Sequence, residues 1–315
     1  MKEKTLCHAG ELFLIEQLQK NFQYNLKSLV AGIGDDAAVI KYGKDYLLFT
    51  TDMMLEGVHF DLHYITPYQI GFKLISVNVS DIYAMGGTPM YALLNIALRK
   101  KTETSFLNML FKGIKHALSY YKTILIGGDI SAVRKDIYLS ATIIGSTIKP
   151  ILRSGAKEGD KIYVTGYLGE SACGLEILKK KGMCVKPSNN LLKRHLMPAA
   201  RNPDKLKGIA TSMIDISDGL LIDLTRLCDE SKVGARIYEE KIPISPQMRK
   251  TALSLGLSPL NLAMTGGEDY ELLFTAPHNK KIKAIYIGDI VKSERVIIDK
   301  LGFKKAFEPK GYQHF

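Results

Sequence analysis

Residues 31–52 read AGIGDDAAVIKYGKDYLLFTTD. Two short apolar runs, Ala37–Ile40 and Tyr46–Thr50, flank Gly43-Lys44 and are bordered by Asp35, Asp36 and Asp52. Runs of that length around turn residues predict paired strands. Adjacent aspartates repel each other, and near a core they are costly unless a cation or hydrogen-bond donors neutralise them. Gly32 and Gly34 let the backbone turn tightly beside the two carboxylates. Mg²⁺ prefers a few carboxylates together with substrate phosphates, so a divalent metal beside phosphate is the simplest neutraliser.

Outward from this stretch, the chain reads as strands mixed with helices of ordinary length. Glu11 to Phe22 predicts an amphipathic helix. Tyr68 to Met85 predicts another, with Pro67 in its first turn and Gly86-Gly87 at its stop. Met90–Leu98, Thr123–Ile126 and Ile137–Ser146 predict strands, the second of them buried and ending in Gly127-Gly128-Asp129, with a helix over Thr104–Tyr120. The polar, glycine-rich run from Arg153 to Asp160 is a break, which divides the chain into residues 1–149 and 150–315. Beyond it come strands at Lys161–Thr165, Met213–Ile216, Tyr270–Ala276 and Ala284–Ile287. Helices are expected at Ser171–Leu178, Leu191–Leu196 and Leu220–Cys228, a basic loop over 179–190, and a less regular tail. The pattern predicts an α/β or α+β architecture with mixed sheets.

At 315 residues the chain is long enough for two ordinary domains or one large one, and at 46% hydrophobic and 24% charged it has the composition of a soluble globular protein. No apolar run approaches membrane-spanning length. Cys7, Cys173, Cys184 and Cys228 form no CxxC pair, which argues against a zinc site or a disulfide framework and for a reducing, cytoplasmic setting. The net charge of +11 is scattered in short clusters without the aromatic-and-arginine motif of a nucleic-acid module, so a solvated surface is expected and no nucleic-acid partner. A positive field also attracts an anionic substrate.

Carboxylates next to glycine or a structural boundary recur along the chain. They are Gly34-Asp35-Asp36, Asp52, Ser80-Asp81, Gly127-Gly128-Asp129, Asp215-Ile216-Ser217-Asp218-Gly219 and Gly266-Gly267-Glu268-Asp269. Each has a plain reading alone: Asp218 as a helix cap, Asp81 as a surface charge, Gly127-Gly128-Asp129 as a turn. Together, adjoining strand ends or helix termini and free of neighbouring Lys and Arg, they suggest a shared metal–phosphate site in a cleft. Residues 32–37 match a loose GxGxxA pattern, but two aspartates fill the phosphate loop and a strand follows, so no dinucleotide fingerprint is read there. His59 and His63 have zinc-like spacing but no third ligand; His59 suits an anionic substrate better. No P-loop or kinase glycine loop is present.

The motifs GIGDDAAV (32–39), TTDMMLEGVHF (50–60), VNVSDIYAMGG (77–87), GGD (127–129), RSGAKEGD (153–160), YVTG (163–166), DISDGL (215–220) and TGGEDYELLF (265–274) resemble, in this order, the thiamine-monophosphate kinase family. The resemblance spans the chain to KGYQHF at its end. It implies an aminoimidazole-ribonucleotide synthetase-like fold, with an N-terminal ATP- and Mg²⁺-binding domain that forms a homodimer through its sheet. It also implies a C-terminal domain closing over the cleft, and phosphoryl transfer from ATP to thiamine monophosphate with several Mg²⁺ ions. Carried over by motif, Asp36, Thr50, Thr51, Asp52, Asp81, Asp129, Asp215 and Asp218 resemble metal ligands. Gly128, Asp129, Arg153 and Ser217 resemble ATP contacts, and His59 and Glu268 substrate contacts; Asp35 adjoins a ligand position. Where the family often has an aromatic residue before KGY, this chain has Pro309, with Phe307 and Tyr312 nearby. Cys7-His8-Ala9-Gly10 lacks the cysteine–lysine arrangement of selenophosphate synthetase, and the end at Phe315 lacks the cysteine of the hydrogenase-maturation relative.

Overall fold

A computed structural model describes residues 10–22, 24, 26–181 and 190–314. Cys7, Cys184 and most of the expected 179–190 loop lie outside the described residues. The first half runs α1 (Glu11–Asn21), β1 (Leu29–Ala31), β2 (Ala38–Tyr42), β3 (Asp45–Leu55), α2 (Pro67–Ala84), β4 (Thr88–Arg99), α3 (Thr104–Tyr121), β5 (Ile124–Val133) and β6 (Tyr138–Thr147). Its strands form one sheet in the order β1-β2-β3-β6-β4-β5. Only β4 and β5 pair in parallel. Gly43, at φ +62°, turns the β2–β3 hairpin, in which Tyr42 faces Asp45. β3 runs five residues past the expected end at Thr50, because β6 pairs with it as far as Leu55.

Helix α2 lies against this sheet. Thr66 caps it, accepting from the Gln69 backbone N–H while the Gln69 side chain accepts from the Thr66 N–H, and Pro67 fills the first turn. Apolar residues surround it, from Ile70 to Ala84, as expected for a helix covered on several sides. Two glycines allow α3 to cross it closely. A Cβ on Gly113 would lie 1.9 Å from the Tyr68 carbonyl oxygen, and one on Gly71 would lie 2.3 Å from that of Leu110.

The second half continues β7 (Lys161–Val164), α4 (Glu170–Lys181), α5 (Asn190–Leu196), β8 (Ser212–Asp215), α6 (Leu220–Ser231), β9 (Gly234–Tyr238), α7 (Pro246–Ser254) and α8 (Pro259–Thr265). It ends with β10 (Leu272–Ala276), β11 (Ile285–Val291), β12 (Arg295–Ile298) and β13 (Lys304–Ala306). The sheet order is β13-β12-β9-β11-β7-β10-β8, with β9 and β12 parallel. Both sheets are mixed, as expected. The tail is more regular than expected, since β12 and β13 extend the sheet. Helices α7 and α8 were not anticipated, although each starts at a Ser-Pro whose serine accepts from the N–H three residues on.

Strand β5 corrects a sequence expectation. The run Thr123–Ile126 is too apolar to look like a surface, yet β5 is the sheet's edge, with Ile124, Ile126 and Ile130 at 61%, 54% and 75% exposure. An apolar run specifies that something covers it, not that the covering element belongs to the same chain. Gly127-Gly128-Asp129 lies within this strand rather than in a turn after it. The halves share one core: buried side chains from Val39 and Leu74 through Ile162 and Leu224 form a continuous cluster. Among the described residues no helix is long and apolar enough to cross a membrane.

Gly113→Ala is expected to destabilise the protein by about 2–4 kcal/mol in chemical denaturation, because backbone faces the added methyl and neither helix can yield alone. A change below about 0.5 kcal/mol would show that the helix crossing is loose.

Candidate active site

The connector between the halves delivers Arg153 to the turn after Gly34. Its Nη2 donates to Asp36 Oδ1 at 2.5 Å, its Nη1 to the Gly34 carbonyl at 3.1 Å, and its backbone N–H to Asp35 Oδ2 at 3.2 Å. Asp36 Oδ2 and Arg153 Nε are buried without a hydrogen-bond partner. From β3, Thr50 Oγ1 donates to Asp81 Oδ2 of α2 at 2.5 Å. The Asp52 N–H donates to Asn78 Oδ1 at 2.8 Å, which ties β3 to the same helix. Ser80 donates to Asp215 Oδ2 at 2.5 Å, so α2 also grips the end of β8 in the second half.

After β8, Gly219 opens α6 at φ +131°, a conformation open to glycine. The helix start is satisfied from within: Asp223 Oδ2 accepts from the N–H groups of Asp218 and Gly219. Asp218 is therefore not the cap, and its carboxylate instead pairs with Arg226 Nη1 at 2.6 Å, which also reaches Asp223 at 2.8 Å.

Asp36, Asp81 and Asp215 each present one oxygen within 4.8 Å of the others. Around them stand Asp35, Asp52, Asp218 and Asp223, giving seven carboxylates against the two guanidinium groups of Arg153 and Arg226. Burial and then the Asp36 charge push Asp35 up to about 6; burial, Asp218 and Asp36 push Asp52 up to about 6. Burial, then Asp218, takes Asp223 to about 7. Asp36, Asp81 and Asp215 are raised too, chiefly by burial. The orphaned Asp36 oxygen, the all-oxygen donor set and this surplus of negative charge fit a hard divalent cation.

A cleft of about 360 Å³ opens from the cluster, lined by Asp52, Asp81, Asp218, His59, Glu268 and Tyr312 among others. His59 Nδ1 accepts from the Leu55 N–H at 3.0 Å, and its ring lies 5.1 Å from that of His314. Burial and His314 lower the His59 pKa, so the ring is neutral near pH 7. Tyr312 reaches the cleft on the backbone bond from its N–H to the Asp218 carbonyl, 2.9 Å. Phe307 is instead buried in the core and Pro309 is exposed outside the cleft, so Tyr312 and His314 are the rings that the C-terminal tail brings to it. A larger hollow of about 960 Å³ lies along the connector, lined by Lys149, Lys157 and Lys207. It contains none of the clustered carboxylates.

The acids of GGEDYEL have separate partners. Glu268 pairs with Lys73 of α2 at 2.6 Å and His195 of α5 at 3.1 Å. Asp269 accepts from the N–H groups of Gly169 and Ser171 at the start of α4, and Glu271 pairs with Arg194 and Arg201.

Not every expected residue joins the cluster. Thr51 projects to the opposite face of β3 from Thr50, donating to the Ala141 carbonyl at 3.1 Å and accepting from Thr142. Alternation along a strand requires this, and it turns the Thr51 hydroxyl away from the carboxylates. Gly128 and Asp129 sit on exposed β5, away from the Asp36–Asp81–Asp215 group. Ser217 lines the cleft. The expectation that Lys and Arg avoid the acidic junctions fails in space: Arg153 and Lys73 are distant in sequence but paired with them, and Arg226 reaches Asp218 from two turns along α6. Sequence reasoning missed Lys73, His195, Asp223 and Arg226. Lys73 did leave a signal, as the single basic residue of a helix that is otherwise buried over most of its length.

A carboxylate whose folded pKa is raised adds stability below its ordinary pKa, and that contribution is lost as pH climbs through the folded value. For Asp52 the window runs from 3.8 to about 6. Asp52→Asn should stabilise the metal-free protein by on the order of 1–2 kcal/mol at pH 8 and change it little at pH 4. Denaturation at both pH values checks this; destabilisation confined to pH 8 would mean that ionised Asp52 is favourably held.

Residues 34–147 match the family model described as AIR synthase related protein, N-terminal domain, and residues 157–297 match its C-terminal domain counterpart. The chain is 39% identical over 317 residues to a thiamine-monophosphate kinase of Aquifex aeolicus, covering 98% of this chain and 99% of that one. It is 36% identical over 330 residues to the thiamine-monophosphate kinase of Escherichia coli K12, covering 98% of each. A solved structure described as AaThiL complexed with AMPPCP and TMP matches with a TM-score of 0.90 at 37% identity over 100% of both chains. Two AIR synthase related domains and this full-length similarity show that the chain belongs to the thiamine-monophosphate kinase family.

Proposed function

We propose that this chain catalyses transfer of the γ-phosphoryl group of ATP to thiamine monophosphate, giving thiamine diphosphate and ADP. The observation that carries the reading is the Asp36–Asp81–Asp215 oxygen cluster opening directly into the Glu268–His59–Tyr312 cleft, in a chain of this family. In the reaction an oxygen of the acceptor phosphate attacks the γ-phosphorus as the bond to the ADP oxygen breaks. A phosphate monoester is largely dianionic near pH 7, so no strong general base is required. The demand is for alignment and relief of repulsion between two anions, which suits a site with no nucleophilic Ser or Cys at its centre.

Asp36, Asp52, Asp81, Asp215 and Asp218 are the residues that would hold Mg²⁺; Thr50 orients Asp81 by its hydrogen bond, and a contribution from Thr51 would have to come through its carbonyl. Bound there, Mg²⁺ supplies positive charge to phosphate oxygens. Arg153 and Arg226 are fully engaged with these carboxylates and orient them. Ser217, at the edge of the cleft, would contact the nucleotide, as would Arg153 once its buried guanidinium gave up a carboxylate. The 1–149 and 150–315 division assigns the cleft to the seam of two domains, consistent with the Ser80–Asp215 and Lys73–Glu268 contacts across it. A reducing, cytoplasmic setting accords with the free buried thiols of Cys173 and Cys228.

The exposed isoleucines of β5 support a homodimer formed through the N-terminal sheet, which would also cover Gly128 and Asp129. An Ile126→Asp, Ile130→Asp double variant should elute as a monomer in size-exclusion chromatography with light scattering, where the parent elutes as a dimer. A dimeric variant would place the interface elsewhere.

The purified protein should form thiamine diphosphate from ATP and thiamine monophosphate only when Mg²⁺ is added, and chelation should abolish turnover. Asp218→Asn should lower kcat by about 100-fold or more, the scale of a lost charge-stabilising group. Folded protein that binds ATP yet forms no thiamine diphosphate would overturn the reading.

A further inference from the structure

The 266–270 loop is held in a costly backbone shape. Glu268 and Tyr270 have φ +64° and +49°, a region non-glycine residues seldom occupy. Bonds from the Glu268 N–H to the Ser217 carbonyl and from the Tyr270 N–H to that of Ile216 pin the loop to the β8–α6 junction. The Glu268 carboxylate is then gripped at both oxygens: Lys73 Nζ lies 2.6 Å from Oε1 and His195 Nδ1 3.1 Å from Oε2. The Lys73 side chain is 1% exposed and the His195 side chain 4%, whereas that of Glu268 is 28% exposed and lines the cleft. The Lys73 ammonium nitrogen is buried and accepted by no well-aligned hydrogen-bond partner, and Glu268 is its only ion-pair partner among the described residues. Lys73 stands in the wall of the same cleft, where its ion-pair partner is Glu268.

We infer that Lys73, assisted by His195, is a positioning residue for substrate recognition: it holds Glu268 as a fixed anionic acceptor for the N–H donors of the aminopyrimidine end of the substrate. This rests on the functional reading above. The ammonium of Lys73 is the full positive charge facing Glu268. The other titratable groups around it are His195 from α5, His59 and Tyr64 from the segment after β3, Asp218 from the β8–α6 junction and Tyr270 from its own loop. Burial alone would raise the Glu268 pKa; Lys73 first, and then His195, bring it well below the usual carboxylate range. A neutral His195 still donates its Nδ1–H, but it cannot replace the lost charge.

Lys73→Met keeps the stem and removes the charge, leaving Glu268 half-buried in the cleft wall and free to take up a proton. The KM for thiamine monophosphate, as the ratio of variant to wild type, should then be at least about tenfold larger at pH 6 than at pH 8, with kcat little changed. Taking the ratio cancels titration of the substrate itself. Lys73→Arg should restore a ratio independent of pH, and Glu268→Gln should raise KM equally at both values. A Lys73→Met ratio that is flat with pH, whatever happens to the melting temperature, would overturn the inference and leave the pair as a structural tie between α2 and the 266–270 loop. If Lys73→Met does not fold, the same pH comparison on His195→Gln, expected to show a smaller rise toward pH 6, decides the matter. Absence of turnover by wild type would defeat the functional reading instead; calorimetric binding of thiamine monophosphate at pH 6 and 8 then tests the clamp separately.

Discussion

Seven aspartates share two arginines at the seam of this protein, and the surrounding structure is arranged to tolerate that imbalance. Like charges in a poorly hydrated space cannot all remain ionised, so several carboxylates are pushed toward neutral pH. Neighbouring donors limit the cost. Thr50 holds Asp81, Ser80 holds Asp215, and the start of α6 is folded around Asp223. What remains is a surplus of negative charge at a cluster whose oxygens lie close enough together to hold a metal ion.

Helix α2 transmits this constraint across the molecule. Its two charged residues, Lys73 and Asp81, are eight positions apart, or about 12 Å along the axis at 1.5 Å per residue. Asp81 belongs to the oxygen cluster and Lys73 pairs with Glu268, so one rigid element sets the distance between the cluster and Glu268. The Gly71–Gly113 crossing holds that element in place, which explains why backbone contact is accepted where most helix pairs interpose side chains.

The same arrangement couples stability to chemistry in opposite directions at the two ends. At the oxygen cluster, ionisation costs folding energy and prepares the site for cations. At Glu268, the ion pair with Lys73 favours ionisation. A buried pair of this kind contributes little net stability compared with apolar packing; what it does is fix where the Glu268 carboxylate sits.

The sequence by itself determined the mixed α/β architecture, the β2–β3 hairpin and the limits of α2, because turn glycines, Thr66-Pro67 and apolar periodicity act locally. It also marked Asp36, Asp52, Asp81, Asp215 and Asp218 as related, since each adjoins a glycine or a boundary that exposes it. Only the tertiary structure decided which charges meet. Arg153 and Lys73 lie far from their partners in the chain, so no local pattern reveals those pairings. It also separated Thr50 from Thr51, because a pleated strand sends neighbours to opposite faces. And it left β5 apolar but uncovered, because burial depends on what packs against a strand and not on the strand alone.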